Sequence, residues 1–203
     1  MESVSRCKYT ERDADIMQRK TQKEKQKENQ KEKQKEKQKD NVRLTHTFGP
    51  WYDENSRYLF LGSFPSVKSR EEGFFYGHPR NRFWKVIAAV FEDEAPETIE
   101  EKKAFLTRNH IALYDVIESC TIHGSSDSSI RDAEVTNLVP ILETGCIEDR
   151  IFVNGNKAYE LYCKYTLPAT GIPAVKLPST SPANAAWSLE RLTETWREMV
   201  RGL

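Results

Sequence analysis

Two stretches of the chain combine small hydroxyl residues, proline and polar side chains in a pattern suited to binding phosphate and a nucleobase. The first is residues 62–66 with its continuation at 74–84, and the second is residues 177–184. Turns of this composition expose backbone N–H groups and hydroxyls, which bind phosphate oxygens. The first stretch adds aromatic rings, a carboxamide and two guanidinium groups, which can stack on a base, orient water and hold phosphate.

Hydrophobic patterning predicts that both stretches follow strands of a parallel sheet. Short apolar runs predict strands at 58–61, 111–114, 151–153 and 173–177. Apolar stripes at helical spacing predict helices at 81–91, 96–108, 133–142, 156–165 and 183–201. Strands that alternate with helices are typical of an α/β fold, here a three-layer α-β-α sandwich with a central four-stranded parallel sheet.

The carboxyl ends of these strands are expected to form the site, because ligands of open parallel sheets bind in the crevice outside those ends. The ends are residues 62–66, 114–115, 154–155 and 178–184, and each runs into a polar or Gly/Pro-containing turn. The sequence therefore predicts that four loops converge on one cleft.

Composition separates the chain into two parts. The 203 residues carry 31 basic and 31 acidic side chains, but residues 1–43 hold 14 basic and 9 acidic ones, which leaves the remainder acidic. Residues 18–39 are almost entirely Lys, Gln and Glu, with no apolar face to bury. We therefore predict a disordered tail at 1–42, either a basic arm or a dispensable extension, and one folded domain at 43–203.

Composition also excludes several classes of protein. No apolar run approaches the roughly 18 residues that span a bilayer, and the first residues lack the apolar segment of a secretory signal. The four cysteines have no C-x-x-C spacing, so we expect neither a disulfide framework nor a zinc ribbon. An intracellular protein in the cytoplasm is expected.

Three motifs, in this order, resemble those of the uracil-DNA glycosylase superfamily, and most closely its hypoxanthine-DNA (deoxyinosine) glycosylase branch. They read GSFPS at 62–66, YGHPRNRFW at 76–84 and STSPANA at 179–185, and residues 44–203 match the family in length and order of elements. The resemblance implies a catalytic domain of that fold, which hydrolyses the N-glycosidic bond of deoxyinosine in DNA and releases hypoxanthine in base-excision repair. It also implies a monofunctional, monomeric enzyme with DNA as its partner, no membrane and no cofactor or metal.

The sequence departs from the superfamily pattern at two places. Many members carry an Asn or Asp in the first loop that positions or activates the attacking water, whereas this loop reads GSFPS. As in the hypoxanthine branch, the resemblance then assigns water positioning to Asn81, whose side-chain oxygen is equally suited to cap the following helix. The last motif lacks the histidine of several families, so imidazole from that loop is not expected to stabilise the departing base.

The resemblance assigns the other site residues to the base and to the DNA backbone. Tyr76, Phe64 and Asp115 would bind the base, with core packing as the alternative for the two rings and capping for the carboxylate. Asn184 would insert into the duplex or contact the opposite strand, with helix capping as the alternative. The phosphate-binding residues would be Ser63, Ser66, Ser181, Arg80 and Arg82, with turn chemistry or a solvated face as alternatives.

Two other functions stay open from the sequence. The same scaffold could act on uracil or mismatched bases, although a first loop without Asn or Asp argues against strong uracil activity. A non-catalytic nucleic-acid-binding module is the alternative from another class. The acidic domain is an objection to any DNA partner unless Arg80, Arg82 and Lys85 form a local positive groove. His78 is interpreted as a structural residue of its turn.

Overall fold

The computed structural model describes residues 42–147 and 150–202. In chain order its elements are β1 (Val42–Thr45), β2 (Tyr58–Gly62), α1 (Val67–Glu72), α2 (Phe83–Phe91), α3 (Ile99–Arg108), β3 (Ile111–Asp115), β4 (Ile117–Ile122), a 3-10 turn (Asp127–Ser129), β5 (Arg131–Val135), α4 (Val139–Thr144), β6 (Ile151–Asn154), α5 (Asn156–Leu161), a π-helical segment (Tyr162–Thr166), α6 (Leu167–Thr170), β7 (Val175–Leu177) and α7 (Leu189–Arg201). The predicted tail lies outside the described residues. No helix in the described part of the chain is long and apolar enough to cross a membrane.

Four strands form the central sheet in the order β3-β2-β6-β7, and every pair is parallel. All five residues of β3 are buried, as are the last four of β2. A parallel sheet that helices cover on both faces is built from such continuous apolar runs. The predicted four-stranded parallel sheet of an α/β fold is therefore confirmed.

A second sheet, antiparallel and ordered β1-β4-β5, was not predicted. The prediction of a helix at 133–142 is wrong. Residues 131–135 pair with β4 as a strand, and the helix of this region is α4, which begins at Val139. Arg131, Asp132 and Glu134 of β5 are exposed and only Ala133 and Val135 are half-buried, so the local signal for a strand is weak and the pairing with β4 decides it. Pro140 fits the first turn of α4, where no intrahelical donor is needed.

Several helices begin later than predicted because a polar side chain caps them. Helix α3 begins after Thr98, whose hydroxyl and Glu101 form a capping box. Helix α7 begins after Ser188, whose hydroxyl accepts from the backbone of Arg191. Residues 183–187 form turns instead of its first two turns of helix. The last motif therefore lies in a loop and not in a helix.

Aromatic packing on the sheet positions α7, which in turn holds the last loop of the site. The Phe60 ring stacks on Phe152 with centroids 5.0 Å apart and on Trp196 of α7 at 5.8 Å. The three rings are fully buried, and stacked pairs of this kind are stabilising beyond their buried area. The indole nitrogen of Trp196 donates to the Pro178 carbonyl at 2.9 Å, which ties α7 to the start of the last loop.

Candidate active site

The loops that follow the four parallel strands meet at one cleft of about 290 Å³, as the strand ends predicted. This volume is near the lower end of the range of about 300–1,000 Å³ for ligand pockets, which suits a small planar ligand. The cleft is lined by residues 62–66, Ser69, Phe75, Tyr76, His78, Asn81, Asp115, Ile122, Ser125, Asp127, Asn154 and residues 179–183.

The floor of the cleft is the register pair Gly62 and Asp115 on neighbouring strands. A Cβ at Gly62 would overlap Asp115 Oδ1 and would lie 3.4 Å from the Tyr76 hydroxyl. Only glycine leaves room for the carboxylate and the phenol to lie across the end of β2. The GSFPS motif therefore needs its glycine to admit a side chain from the next strand.

Asp115 is held by a histidine that sequence analysis missed. His46 Nε2 lies 2.9 Å from Asp115 Oδ2, and the two side chains are 1% and 8% exposed. The ring packs against Phe48 at 4.6 Å and Tyr114 at 4.8 Å between centroids, and its Nδ1 is buried without a partner in the described part of the chain. His46 follows β1 and reaches the site only because β1 pairs with β4, so it carried no local signal.

Asn81 combines the two roles that the sequence left open. Its Oδ1 accepts hydrogen bonds from the Phe83 backbone N–H at 2.9 Å and from the Thr180 hydroxyl at 3.0 Å. Because both partners are donors, the network identifies this atom as the oxygen. The oxygen thus accepts from the first N–H of α2, although the N-cap position itself is Arg82, and it holds the last motif. The amide nitrogen is the group left to bind a ligand in the cleft.

Tyr76 has the geometry of a stacking ring. Its backbone takes a left-handed φ of 52°, and one face of the ring stacks on Phe83 with centroids 3.8 Å apart. Desolvation and the nearby Asp115 carboxylate raise the pKa of the Tyr76 hydroxyl well above its ordinary value, so the phenol stays protonated. Since Phe83 covers one face, a base in the cleft can stack only on the other.

A polar chain that sequence analysis did not assign joins three of the strand-end loops. Asn154 Nδ2 donates to Tyr76 at 3.3 Å and to Thr180 at 2.9 Å, and Asn154 Oδ1 accepts from the Thr180 backbone at 3.0 Å. Thr180 is completely buried, and its hydroxyl donates a hydrogen bond to Asn81 Oδ1. Asn154 and Thr180 both lie in the strand ends predicted from the sequence, at 154–155 and 178–184. That position is the signal that could have identified them.

A second carboxylate enters the cleft from the loop between β4 and β5. Ser63 Oγ donates to Asp127 Oδ1 at 2.7 Å. Asp127 is exposed as a residue, lines the cleft, and has its carboxylate against Ser63. Desolvation raises the pKa of Asp127, the Ser63 hydrogen bond opposes that rise, and repulsion by Asp115 adds to it. The sequence alone assigned no role to this residue.

The hydroxyls predicted to bind phosphate all have partners within the protein. The Ser63 hydroxyl donates to Asp127, and the Ser66 hydroxyl caps α1 by accepting from the Ser69 backbone at 3.2 Å. Ser181 Oγ accepts from the Ala183 backbone at 3.2 Å. These bonds are the turn chemistry that the sequence left as the alternative, although all three serines line the cleft.

The two arginines differ in their surroundings. The Arg82 guanidinium donates to four backbone carbonyls of the last loop, those of Thr180, Ser181, Asn184 and Trp187. Arg80 is exposed, and its backbone N–H donates to His78 Nδ1 at 3.1 Å, which leaves Nε2 to carry the proton of the neutral imidazole. Arg82 is therefore a brace for the loop, whereas the Arg80 side chain extends into solvent.

The remaining two predicted residues lie at the margins of the site. Phe64 is buried, lines the cleft and has the Arg70 guanidinium 5.8 Å from its ring centroid. Asn184 lies in a neighbouring groove, where its side-chain amide donates to the Ser179 carbonyl at 2.8 Å. Asn184 caps no helix, since Ser188 has that role for α7.

Comparison with known proteins points to one family. The family model of the uracil DNA glycosylase superfamily matches residues 50–200. A hypoxanthine DNA glycosylase of Methanosarcina acetivorans is 35% identical over 150 residues, which are 73% of this chain and 93% of the relative. A hypoxanthine DNA glycosylase of Methanosarcina barkeri is 32% identical over 155 residues, 76% of this chain and 96% of the relative. The solution NMR structure of a Methanosarcina acetivorans protein, provisionally named a uracil DNA glycosylase, is 32% identical and has a TM-score of 0.66 over 79% of this chain and 98% of that chain.

Proposed function

The chain belongs to the uracil DNA glycosylase superfamily, and we propose that it is a monofunctional DNA glycosylase that hydrolyses the N-glycosidic bond of deoxyinosine and releases hypoxanthine. The observation that carries the proposal is the similarity, over nearly the full length of both relatives, to two proteins named hypoxanthine DNA glycosylase. The enzyme acts on DNA inside the cell, in the cytoplasm. We propose that one copy of the chain is the active unit.

Recognition of the base follows from the chemistry of the cleft. The extruded base stacks on the free face of Tyr76, whose other face Phe83 covers, and Phe64 forms part of the wall. The Asp115 carboxylate accepts the N1–H hydrogen of hypoxanthine, and His46 holds its second oxygen. Adenine has a lone pair at N1 and no hydrogen, so the same carboxylate repels the undamaged base.

Asn81 holds the attacking water in this proposal. Its oxygen is engaged by Phe83 and Thr180, so the amide N–H of Asn81 donates to the water and leaves the second lone pair of the water free to attack C1′. A neutral amide is a poor base, so Asn81 contributes by positioning.

The DNA backbone follows the serine-bearing rim of the cleft. Ser66 and Ser181 offer partly exposed hydroxyls there, and Arg80 adds an exposed positive charge. Arg82 contributes to DNA binding indirectly, because it fixes the loop that carries Ser181. Asn184 reaches the duplex from the adjacent groove, which requires its amide to leave the Ser179 carbonyl. The hydroxyl of Ser63 contacts a phosphate only if it turns away from Asp127.

Excision from labelled oligonucleotides tests the proposal. Each duplex or single strand carries one deoxyinosine, uracil or xanthine, and alkali converts abasic sites into strand breaks. Breaks at deoxyinosine are expected, whereas breaks at uracil alone would keep the scaffold and replace the substrate. DNA binding without breaks at any base would make the protein a binding module.

Two variants of one residue separate the roles within Asn81. Asn81→Asp keeps an oxygen for Phe83 and Thr180 but lacks the amide hydrogens, so it should fold normally and lose excision. Asn81→Ala should lose both excision and stability, because the Phe83 N–H and the buried Thr180 hydroxyl lose their acceptor at a cost of about 1–3 kcal/mol. Full activity of Asn81→Asp would contradict the role of the amide N–H.

A further inference from the structure

We infer that Asp127 is a catalytic carboxylate of this site, which the loop between β4 and β5 supplies in place of the Asn or Asp that the first loop lacks. The inference rests on the proposed function. Its starting point is the hydrogen bond from Ser63 Oγ to Asp127 Oδ1 at 2.7 Å. Ser63 belongs to the first loop and lies 64 residues earlier in the sequence. The contact therefore brings a carboxylate to the loop that has none of its own.

The turn that carries Asp127 is held in place from two sides. The backbone N–H of Val67, the first residue of α1, donates to Ser125 Oγ at 2.9 Å. Within the turn, the Ser129 backbone N–H donates to the Ser126 carbonyl at 2.8 Å. The carboxylate is thus oriented by Ser63 while its backbone is anchored to α1. A group fixed in this way needs little reorganisation before it acts.

The electrostatic surroundings suit a carboxylate that accepts a proton. The charged and titratable groups that influence Asp127 are Asp115 on β3, Lys157 on α5, Tyr76 and Cys120 of β4. Two carboxylates and no lysine or arginine are found among the described residues that line the cleft. The sugar gains positive charge as its bond to the base breaks, and the two carboxylates stabilise that charge.

The chemical step consumes one water. The C1′–N9 bond breaks and its electron pair leaves with the base, while the oxygen of the water held by Asn81 bonds to C1′. The Asp127 carboxylate takes the proton that this water loses. The proton then passes to the purine anion through solvent, which yields neutral hypoxanthine, an abasic sugar and the original carboxylate. Proton transfer to a positioned base typically contributes about 10²–10⁴-fold to a rate.

Ser63 has a positioning role in this arrangement. Its one hydroxyl proton is donated to Asp127 and favours the ionised carboxylate. A hydroxyl used in this way does not also donate to a phosphate oxygen. Substitution of Ser63 should therefore change the pH dependence of the reaction more than the affinity for DNA.

Single-turnover excision of deoxyinosine by the Asp127→Asn variant tests the inference. The control is Asp132→Asn, which removes one negative charge from an exposed site on the same hairpin. Asp132 has a left-handed φ of 49°, which asparagine tolerates well. Asp127→Asn should lose about 100-fold or more in rate. Its affinity for DNA should be equal or higher because a negative charge is gone, whereas Asp132→Asn should match the wild type.

The pH profile separates a proton acceptor from a structural carboxylate. The rate should fall as pH drops through the pKa of Asp127, which desolvation at the cleft raises above its ordinary value. Ser63→Ala should move this acid limb to higher pH, because the lost hydrogen bond favoured the ionised form. The residual rate of Asp127→Asn should lack the limb.

Three results would overturn the inference while leaving the proposed function intact. They are an excision rate for Asp127→Asn equal to that of Asp132→Asn, an acid limb that persists in Asp127→Asn, and a Ser63→Ala variant that loses DNA affinity with an unchanged limb. Thermal unfolding of each variant shows whether it folds. Absence of hypoxanthine release by the wild type would instead remove the proposed function itself.

Discussion

The buried hydroxyl of Thr180 donates a hydrogen bond to Asn81 Oδ1 across 99 residues of sequence. The bond joins the middle motif of the chain to the last one, and it fixes the amide plane of Asn81 together with the Phe83 N–H. Asn154 extends the connection to Tyr76. The group proposed to hold water and the ring proposed to stack on the base therefore belong to one hydrogen-bonded network.

Removal of the Thr180 hydroxyl should uncouple this network. In Thr180→Val the Asn81 amide loses a fixed partner, and a misplaced catalytic group lowers a rate by about 10–100-fold. The half-buried Asn154 amide also loses an acceptor, which should lower the free energy of unfolding by about 1–3 kcal/mol. Single-turnover excision and urea unfolding measure the two effects. Thr180→Ser keeps the hydroxyl and should behave as the wild type, so equal defects in both variants would contradict the role of the bond.

Gly62→Ala should damage the site through the Asp115 carboxylate. The added Cβ overlaps Asp115 Oδ1, so the carboxylate must move away from its place over β2. Overpacking of this kind costs about 1–3 kcal/mol, and excision should be largely lost because the base loses its acceptor. Thermal unfolding and the excision assay report both quantities.

The matched control for that variant is Gly49→Ala. A Cβ at Gly49 meets no atom within 4 Å, so this variant should change the free energy of unfolding by less than about 0.5 kcal/mol. Normal activity in Gly62→Ala would show that the close approach of the carboxylate is not needed.

The motifs were predictable because each combines its functional residue types within a few positions of sequence. Ligands of open parallel sheets bind outside the carboxyl ends of the strands, which is where these motifs lie. Gly62, Asn81 and Thr180 all lie in segments that follow strands or open a helix, so their convergence followed from the alternation of strands and helices. His46 and Asp127 were not predictable, because neither follows a strand of the parallel sheet and nothing local pairs them with Asp115 and Ser63. The antiparallel sheet of β1, β4 and β5 brings both residues to the cleft, and the hydrophobic pattern of its strands is weak.

The choice of helix or strand at 133–142 failed for a similar reason. The alternation of RDAEV in β5 is short and mostly polar, and it becomes a strand only beside β4. Asn81 was foreseen as a possible N-cap, but the N-cap of α2 is Arg82, and Asn81, one position before the cap, instead accepts from the Phe83 N–H.

The salt dependence of DNA binding should distinguish Arg80 from Arg82. An arginine that contacts one phosphate contributes about 0.9 to the slope of log K against log salt concentration, so Arg80→Ala should flatten the slope by about that amount. Arg82→Lys keeps the charge but loses the forked donors to the last loop, so it should lower stability and leave the slope unchanged. Fluorescence anisotropy over a salt series measures the slope, and the reverse pattern would exchange the two roles.

Asp115→Asn should weaken discrimination between hypoxanthine and adenine. With His46 holding the amide oxygen, the amide N–H₂ would face the base, where it opposes the N1–H of hypoxanthine and can donate to N1 of adenine. The ratio of excision rates for the two bases should fall by about 100-fold or more, as expected when a buried side chain that hydrogen-bonds the base is changed. Parallel single-turnover assays with deoxyinosine and deoxyadenosine substrates give the ratio. An unchanged ratio would place recognition of N1 elsewhere.

The most direct test of the central claim is the analysis of both products of the reaction in oxygen-labelled water. A deoxyinosine oligonucleotide is incubated with the wild type, and the released base is separated from the oligonucleotide. The masses of both products are then measured by mass spectrometry. We predict free hypoxanthine without label and an abasic sugar that carries the labelled oxygen, with neither product in Asn81→Asp. An intact oligonucleotide, or label in the base, would contradict hydrolysis of the N-glycosidic bond by this site.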